Sequence, residues 1–245
     1  MVTEQQLKRA LAELGVEKGM ILEVHFSLSS FGRLEGGAVT VIDTLKELVT
    51  EDGSIFMPAL RLSSELELTD EDKRLGITVK IKVLDPDAEK TAMGTVADTF
   101  RRMPGTFTGR DTISTSGWGK HGSEALKGGL DFAIHNGGKA LLLGVDIYKL
   151  TAMHYVEGIT PADINAQFAP DEKINRIYPP GQWFIEAGHP PVKAWYKIQA
   201  IAYEKGLIKE AHIGSCKAMF FDIWSVVSLY ENELRNDPYG LWGMK

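Results

Sequence analysis

Two periodicities alternate along the chain. Thr3 to Leu14 reads as a helix, and Thr3 and Gln6 are spaced as a capping box. Met20 to His25 is a short apolar run that ends in a loop, the pattern of a buried strand. From Gly37 to Thr50 the apolar positions Val39, Ile42, Leu45, Leu48 and Val49 recur at helical spacing. Asp52-Gly53 is a turn, and Ser54 to Met57 a second strand closed by Pro58. Met93 to Met103 is a helix stopped by Pro104-Gly105, and KALLLGV from Lys139 to Val145 is the clearest buried strand. Leu150 to Glu157 reads as a helical start. Phe168 to Glu186, with its Pro-Pro and Pro-Gly pairs, reads as a hairpin or connecting arm. Val192 to Lys205 is amphipathic, Ile208 to Ser215 is strand-like, and Lys217 to Leu234 reads as one long helix.

Interleaved strands and helices predict an α/β fold, a three-layer α/β/α arrangement around a central mixed sheet. No low-complexity linker and no internal repeat divides the chain, so residues 1–245 are expected to form a single domain. The charged, weakly patterned stretch 61–91 is expected as a surface excursion forming a cleft wall. It carries a helix near Glu71 and a strand from Ile77 to Val83.

Composition narrows the function classes. Of 245 residues, 44% are hydrophobic, enough to bury a sizeable core. Asp plus Glu number 33 against 27 Lys plus Arg, a net charge of -6 that argues against nonspecific nucleic-acid binding. The one cysteine, Cys216, allows no intramolecular disulfide and no CxxC site. It is expected as a small buried residue. The opening MVTEQQLKRALAELG lacks the apolar stretch of a secretory signal, and no run approaches the ~18 apolar residues of a membrane span. A cytoplasmic protein with no membrane partner is expected.

The loop VHFSLSSFGRLEGGAVTVID offers candidate chemistry. Where a loop enters a helix, unpaired N–H groups and the helix dipole favour an anion, and small residues let a ligand approach closely. Ser27, Ser29, Ser30, Gly32, Gly36 and Gly37 supply both conditions. The spacing fits neither a triphosphate loop nor a dinucleotide fingerprint. An anion site and a plain capped turn both remain open.

A second constellation follows the strand Leu141 to Val145. His154 and Glu157 are three apart and share a helix face, where a carboxylate orients an imidazole as a general base. A solvated surface pair has the same spacing. His25, ending a strand, is expected as a buried, hydrogen-bonded residue. His121, His135, His189 and His212 are expected at the surface. No zinc-like ligand spacing occurs, so no metal is expected. The aromatic-rich tail from Tyr230 to Trp242 suits either a homo-oligomer interface or packing on its own domain.

Taken in order, several blocks resemble the aminoglycoside 3-N-acetyltransferase family. They are VHFSLSSFG followed by EGGAVTVIDTL, then IFMPA, MGTVADTFRRMPG, STSGWG, LLLGV with TAMHYVEG, and IGSCKAMFFD. The resemblance implies transfer of an acetyl group from acetyl-coenzyme A to an amine, with an aminoglycoside-like acceptor. It implies that His25, Ser27, Leu28, Ser29, Ser30 and Gly37 line the coenzyme A channel, with Ser114 beside them. It also implies His154, oriented by Glu157, as the base in a direct transfer, with donors near Ser29 or Ser114 stabilising the oxyanion. The chain departs from the family pattern in three places. Arg110-Asp111-Thr112 stands where a His-Pro pair is usual, and Tyr148 and Leu150 stand where an acid and an asparagine are usual. Residues 61–91 lack the Trp- and Pro-rich pattern. The cofactor half is thus retained and the acceptor half altered. A second reading is a homologue that binds coenzyme A without catalysis or with another acceptor. A third is a metal-dependent hydrolase using His25, His154 and Glu157.

Overall fold

The computed structural model describes residues 1–188 and 192–244; His189 lies outside the described residues. The described residues form nine strands: β1 (Ile21–Phe26), β2 (Ser54–Pro58), β3 (Ile77–Lys82), β4 (Phe107–Thr108), β5 (Thr115–Gly119), β6 (Lys139–Leu143), β7 (Trp183–Ala187), β8 (Lys209–Ile213) and β9 (Cys216–Asp222). Seven of them form one sheet in the order β4-β5-β2-β1-β6-β9-β8. β1 runs parallel to both β2 and β6, while the β2–β5, β6–β9 and β8–β9 pairs are antiparallel. The sheet is therefore mixed, as the alternating pattern predicted.

Both faces of this sheet are covered. Leu22, Val24, Ile55, Met57, Leu141, Leu143, Ala218 and Phe220 join a core with the helices Glu4–Leu14, Gly37–Val49 and Gly94–Phe100. The alternate residues Phe56, Ala140, Leu142, Met219 and Phe221 join a second core with the helices Gly129–His135, Val192–Glu204 and Ile223–Asn236. Successive strand residues point to opposite faces, and here each face finds helices. Each fully buried Leu or Phe contributes about 1.5–3 kcal/mol of transfer free energy. No described helix is long and apolar enough to cross a membrane.

The first helix begins where its capping box lies: the Thr3 side chain accepts from the Gln6 N–H, and the Gln6 side chain accepts from the Thr3 N–H. The segment Lys217 to Leu234 is not one helix. KAMFFD continues β9 antiparallel to β6, and the helix starts only at Ile223, capped by Asp222. An apolar run buried on both faces carries no period to separate strand from helix, which is why the sequence misled.

The expected arm at 168–186 contributes β7, which pairs antiparallel with β3 from the 61–91 stretch in a separate two-stranded ribbon. Asp72 anchors this ribbon. Its side chain is fully buried and accepts from Lys80 Nζ at 2.9 Å, from Tyr178 and from the Thr69 N–H. Burial alone would raise its pKa, but the hydrogen bonds from Tyr178, Lys80 and Thr69 hold the carboxyl well below the usual carboxylate range. A carboxyl depressed in the fold stabilises it above the unfolded pKa of about 4 and loses that contribution as pH falls. Asp72→Asn should lower stability at neutral pH by about 2 kcal/mol. It should also flatten the acid limb of a denaturation-midpoint series run from pH 7 to pH 3.

Candidate active site at the carboxyl edge of the sheet

Because β1, β2 and β6 run parallel, their carboxyl ends share one edge of the sheet, where open α/β folds place ligands. The serine loop leaves β1 there and turns through a short 3-10 helix, Leu28–Phe31. It is tied down at several points. The Ser27 N–H donates to Leu143 O at 2.8 Å, Ser30 Oγ donates to Ser27 O at 2.7 Å, and Ser215 Oγ donates to Ser30 O at 2.7 Å. Ser27 and Ser29 hydroxyls lie 3.2 Å apart. Gly144, at φ +72°, closes the far side; a Cβ there would fall 1.8 Å from Ser30 Oγ.

The loop then enters the helix Gly37–Val49 through two left-handed glycines, Gly36 at φ 65° and Gly37 at φ 60°. No side chain caps this helix and no acidic residue sits in its first turn. Its N-terminal N–H groups and dipole are thus not answered by a local carboxylate. Cys216 is buried behind the loop, and burial pushes its thiol up to about 11, so it is no thiolate at neutral pH. Ser114 lies at the same edge but beyond β2, about 10 Å from β1 at ordinary strand spacing. Its hydroxyl donates to Asp111 O at 2.6 Å.

On the other side of the edge, Thr151–Ile159 forms a nine-residue 3-10 helix rather than an α-helix. Residues three apart are eclipsed in this geometry, so His154 and Glu157 stand directly in line. His154 Nδ1 meets Glu157 Oε2 at 2.5 Å, and the imidazole is 59% exposed. A carboxylate on Nδ1 favours the proton there and leaves the Nε2 lone pair outward. The ring rests edge-on against Trp195, centroids 4.9 Å apart. Trp195 continues to Tyr148 at 5.7 Å, and Tyr148 stacks on Tyr196 at 6.1 Å.

Carboxylates gather along this aromatic wall. Glu186 of β7 has its pKa raised by burial, then by the charges of Glu65 and Glu157. The Tyr148 phenol is raised by burial, then by Glu186, Tyr196 and Glu65. Glu65 comes from the 61–91 stretch and Glu186 from its partner strand, so the ribbon sets the two acids within electrostatic reach of Tyr148. Nothing in their local sequence marks them, since each is a lone glutamate whose neighbours are set by long-range pairing. Leu150 is fully buried in the core, whereas Tyr148 is 38% exposed in the cleft.

His25 is buried, as its strand position predicted, and bonds to Glu23 Oε1 at 2.7 Å. Among the described residues, no three His, Cys, Asp or Glu side chains are grouped to hold a metal ion. His135 bonds Tyr155, the neighbour of His154 on the 3-10 helix, and His121 packs on Phe132.

Comparison with known proteins follows the same lines. Residues 24–235 match the family model described as aminoglycoside 3-N-acetyltransferase. The SPbeta prophage-derived aminoglycoside N(3')-acetyltransferase-like protein YokD of Bacillus subtilis (strain 168) is 33% identical over 180 residues, 63% of this chain and 64% of that protein. Its crystal structure superposes with a TM-score of 0.72 at 23% identity, covering 97% of this chain and 95% of that one. Aminoglycoside N(3)-acetyltransferase III of Salmonella sp is 29% identical over 194 residues, 67% of this chain and 62% of that protein. The chain thus spans under two thirds of the length of these curated relatives. The structure of AAC-IIIb, a binary complex with CoASH, shares the fold with a TM-score of 0.68 at 19% identity, covering 95% of this chain and 96% of that one.

Proposed function

Since the chain belongs to the aminoglycoside 3-N-acetyltransferase family, we propose that it transfers an acetyl group from acetyl-coenzyme A to an amine of a cationic, aminoglycoside-like acceptor. The observation that carries this reading is the His154–Glu157 pair at 2.5 Å, with the charges of Glu157 and Glu65 acting on Glu186 and those of Glu186 and Glu65 on Tyr148. An ammonium cannot attack a thioester, so the acceptor must lose a proton and be aimed at the carbonyl. The ammonium gives its first proton to solvent, and His154 Nε2 accepts the second, from the neutral amine, as the nitrogen bonds the carbonyl carbon. The carbon–sulfur bond then breaks, and the imidazolium returns the proton to the departing thiolate. Glu157 keeps Nδ1 protonated and balances the imidazolium charge.

The serine loop suits the cofactor. Its backbone and hydroxyls at Ser27, Leu28, Ser29 and Ser30 form a polar rim for a pantetheine arm. The helix entered through Gly36 and Gly37, with no acid in its first turn, suits a pyrophosphate. His25 is turned inward and would shape this channel from below rather than touch the cofactor. Ser114, a strand farther away, suits the cleft floor better than the same oxyanion site as Ser29.

The deciding experiment follows thiol release from acetyl-coenzyme A across aminoglycosides and simpler amines. Turnover with at least one polycationic amine is expected. Coenzyme A binding without turnover on any amine would favour a binding role for the scaffold instead.

The acid wall gives a further expectation. Glu186, whose carboxyl burial and the charges of Glu65 and Glu157 raise above the usual carboxylate range, attracts a cation more strongly once ionised. The acceptor KM should therefore fall as pH rises through that titration. Glu186→Gln should raise the acceptor KM about 5-fold, on the order of 1 kcal/mol, and remove this part of the pH dependence. Initial rates against acceptor concentration at several pH values check both.

A further inference from the structure

The 3-10 helix that carries His154 is an unusual support for a reactive group. Such helices rarely exceed three or four residues because their hydrogen bonds are poorly aligned, yet this one runs nine. Its N-terminus has no local cap, for Leu150 precedes it and offers no acceptor side chain. An orphan donor is answered from a distant strand instead. The Ala152 N–H donates to Glu23 Oε1 at 3.1 Å, and the Thr151 N–H approaches His25 Nε2 at 3.3 Å.

Glu23 and His25 are two apart on β1, so they share a face. Leu22 and Val24 face the opposite core, and the β6 partners Ala140 and Leu142 lie on the same side as the pair. Glu23 is fully buried and His25 is 6% exposed. Their contact at 2.7 Å holds one proton between Oε1 and Nε2, while Glu23 Oε2 has no partner among the described residues. Burying a carboxyl and an imidazole is costly, and an apolar pair would pack there without that cost. What the pair does in this fold is accept the Ala152 N–H through Glu23 Oε1, with His25, bonded through Nε2 to the same oxygen, holding that carboxylate in place. A negative end there also complements the helix dipole.

The geometry points to Glu23 and His25 as positioning residues for His154: a buried dyad on β1 that caps the 3-10 helix in place of Leu150 and fixes the height and rotation of the imidazole. Thr151 is one 3-10 turn before His154, so a shift at the cap passes directly to the ring. A misplacement of about 1 Å at a reacting group costs on the order of 100-fold in rate. This rests on the acetyl-transfer reading for its kinetic expression, though not for its geometry.

Glu23→Met keeps the volume and removes the acceptor, whereas Glu23→Gln keeps an acceptor for the Ala152 N–H. Glu23→Met should lower kcat about 10- to 100-fold with both KM values within about 2-fold, and Glu23→Gln should restore kcat to within about 3-fold of the parent. A second readout needs no turnover. Nitrogen-15 NMR of the His154 ring should show the Nδ1-protonated form in the parent and in Glu23→Gln, and mixed tautomers in Glu23→Met. If Glu23→Met does not fold, His25→Leu against His25→Gln makes the same comparison. A parent without turnover but with these NMR differences would sink the acetyl-transfer reading and keep the cap. Unchanged kcat and unchanged ring signals in Glu23→Met, with only a lower melting temperature, would reduce the dyad to ordinary core and overturn the proposal.

Discussion

His154→Ala should lower kcat by about 100- to 10,000-fold while leaving the affinity for coenzyme A within about 2-fold of the parent. The asymmetry follows from the layout. His154 stands on the 3-10 helix side of the sheet edge, more than half exposed and touching Glu157 and Trp195. The serine loop is held by Leu143, Ser215 and the close approach of Gly144, none of which involves the imidazole. Removing the ring would therefore delete the proposed proton acceptor without disturbing the loop proposed for the cofactor. Glu157→Gln should cost less, about 10-fold, because the amide still supports Nδ1 but no longer offsets the imidazolium charge. Steady-state kinetics with calorimetric titration of coenzyme A separates the two effects. Equal losses in kcat and coenzyme A affinity for His154→Ala would mean that the ring is part of the cofactor site.

The second large effect concerns stability. Gly144→Ala should destabilise the fold by about 2–5 kcal/mol. Placing a Cβ at φ +72° costs about 1–2 kcal/mol. The remainder comes from overpacking, since the new carbon would lie 1.8 Å from Ser30 Oγ and 2.3 Å from Ser30 Cβ. Ser30→Gly removes both obstructing atoms. In the double variant the steric part should be recovered and the backbone part retained, so the two substitutions should be strongly non-additive. Denaturant midpoints for the four proteins measure this coupling. Additive losses would show that Ser30 moves aside freely and that the loop is softer than its hydrogen bonds suggest.

Much of this site was legible in the chain before any fold was known. The capping box at Thr3, the run KALLLGV and the His-x-x-Glu spacing each carry their meaning within a few residues. The strands and helices that depend on local period were read correctly, whereas β9 was not, because KAMFFD is buried on both sides and shows no period. The acid wall was hidden for a different reason. Glu65 and Glu186 sit in weakly patterned stretches 61–91 and 168–186, and only the pairing of β3 with β7 sets them beside Tyr148. The altered positions Tyr148 and Leu150 had suggested a loss of acidity at the acceptor side. The carboxylates whose charges act on Tyr148, Glu186 and Glu65, come from the ribbon and its flank instead.

The cap on the 3-10 helix joins residues that are 126 and 129 positions apart in the chain. Between them the chain must form β2, the ribbon strand β3, and β5, before β6 can slot in beside β1. Contacts of such sequence separation carry a large loop-closure entropy and slow folding. The His154 imidazole is thus positioned late, after most of the sheet exists. A nascent chain that has emerged only through Gly137 would carry the whole serine loop yet lack Leu143 O, Gly144 and Ser215 to hold it. With the β6 side of β1 unpaired, Glu23 and His25 would be open to water on a bare sheet edge. Such an intermediate is prone to association. Yield on expression is therefore expected to depend on temperature and chaperone supply more than the stability of the finished fold would suggest.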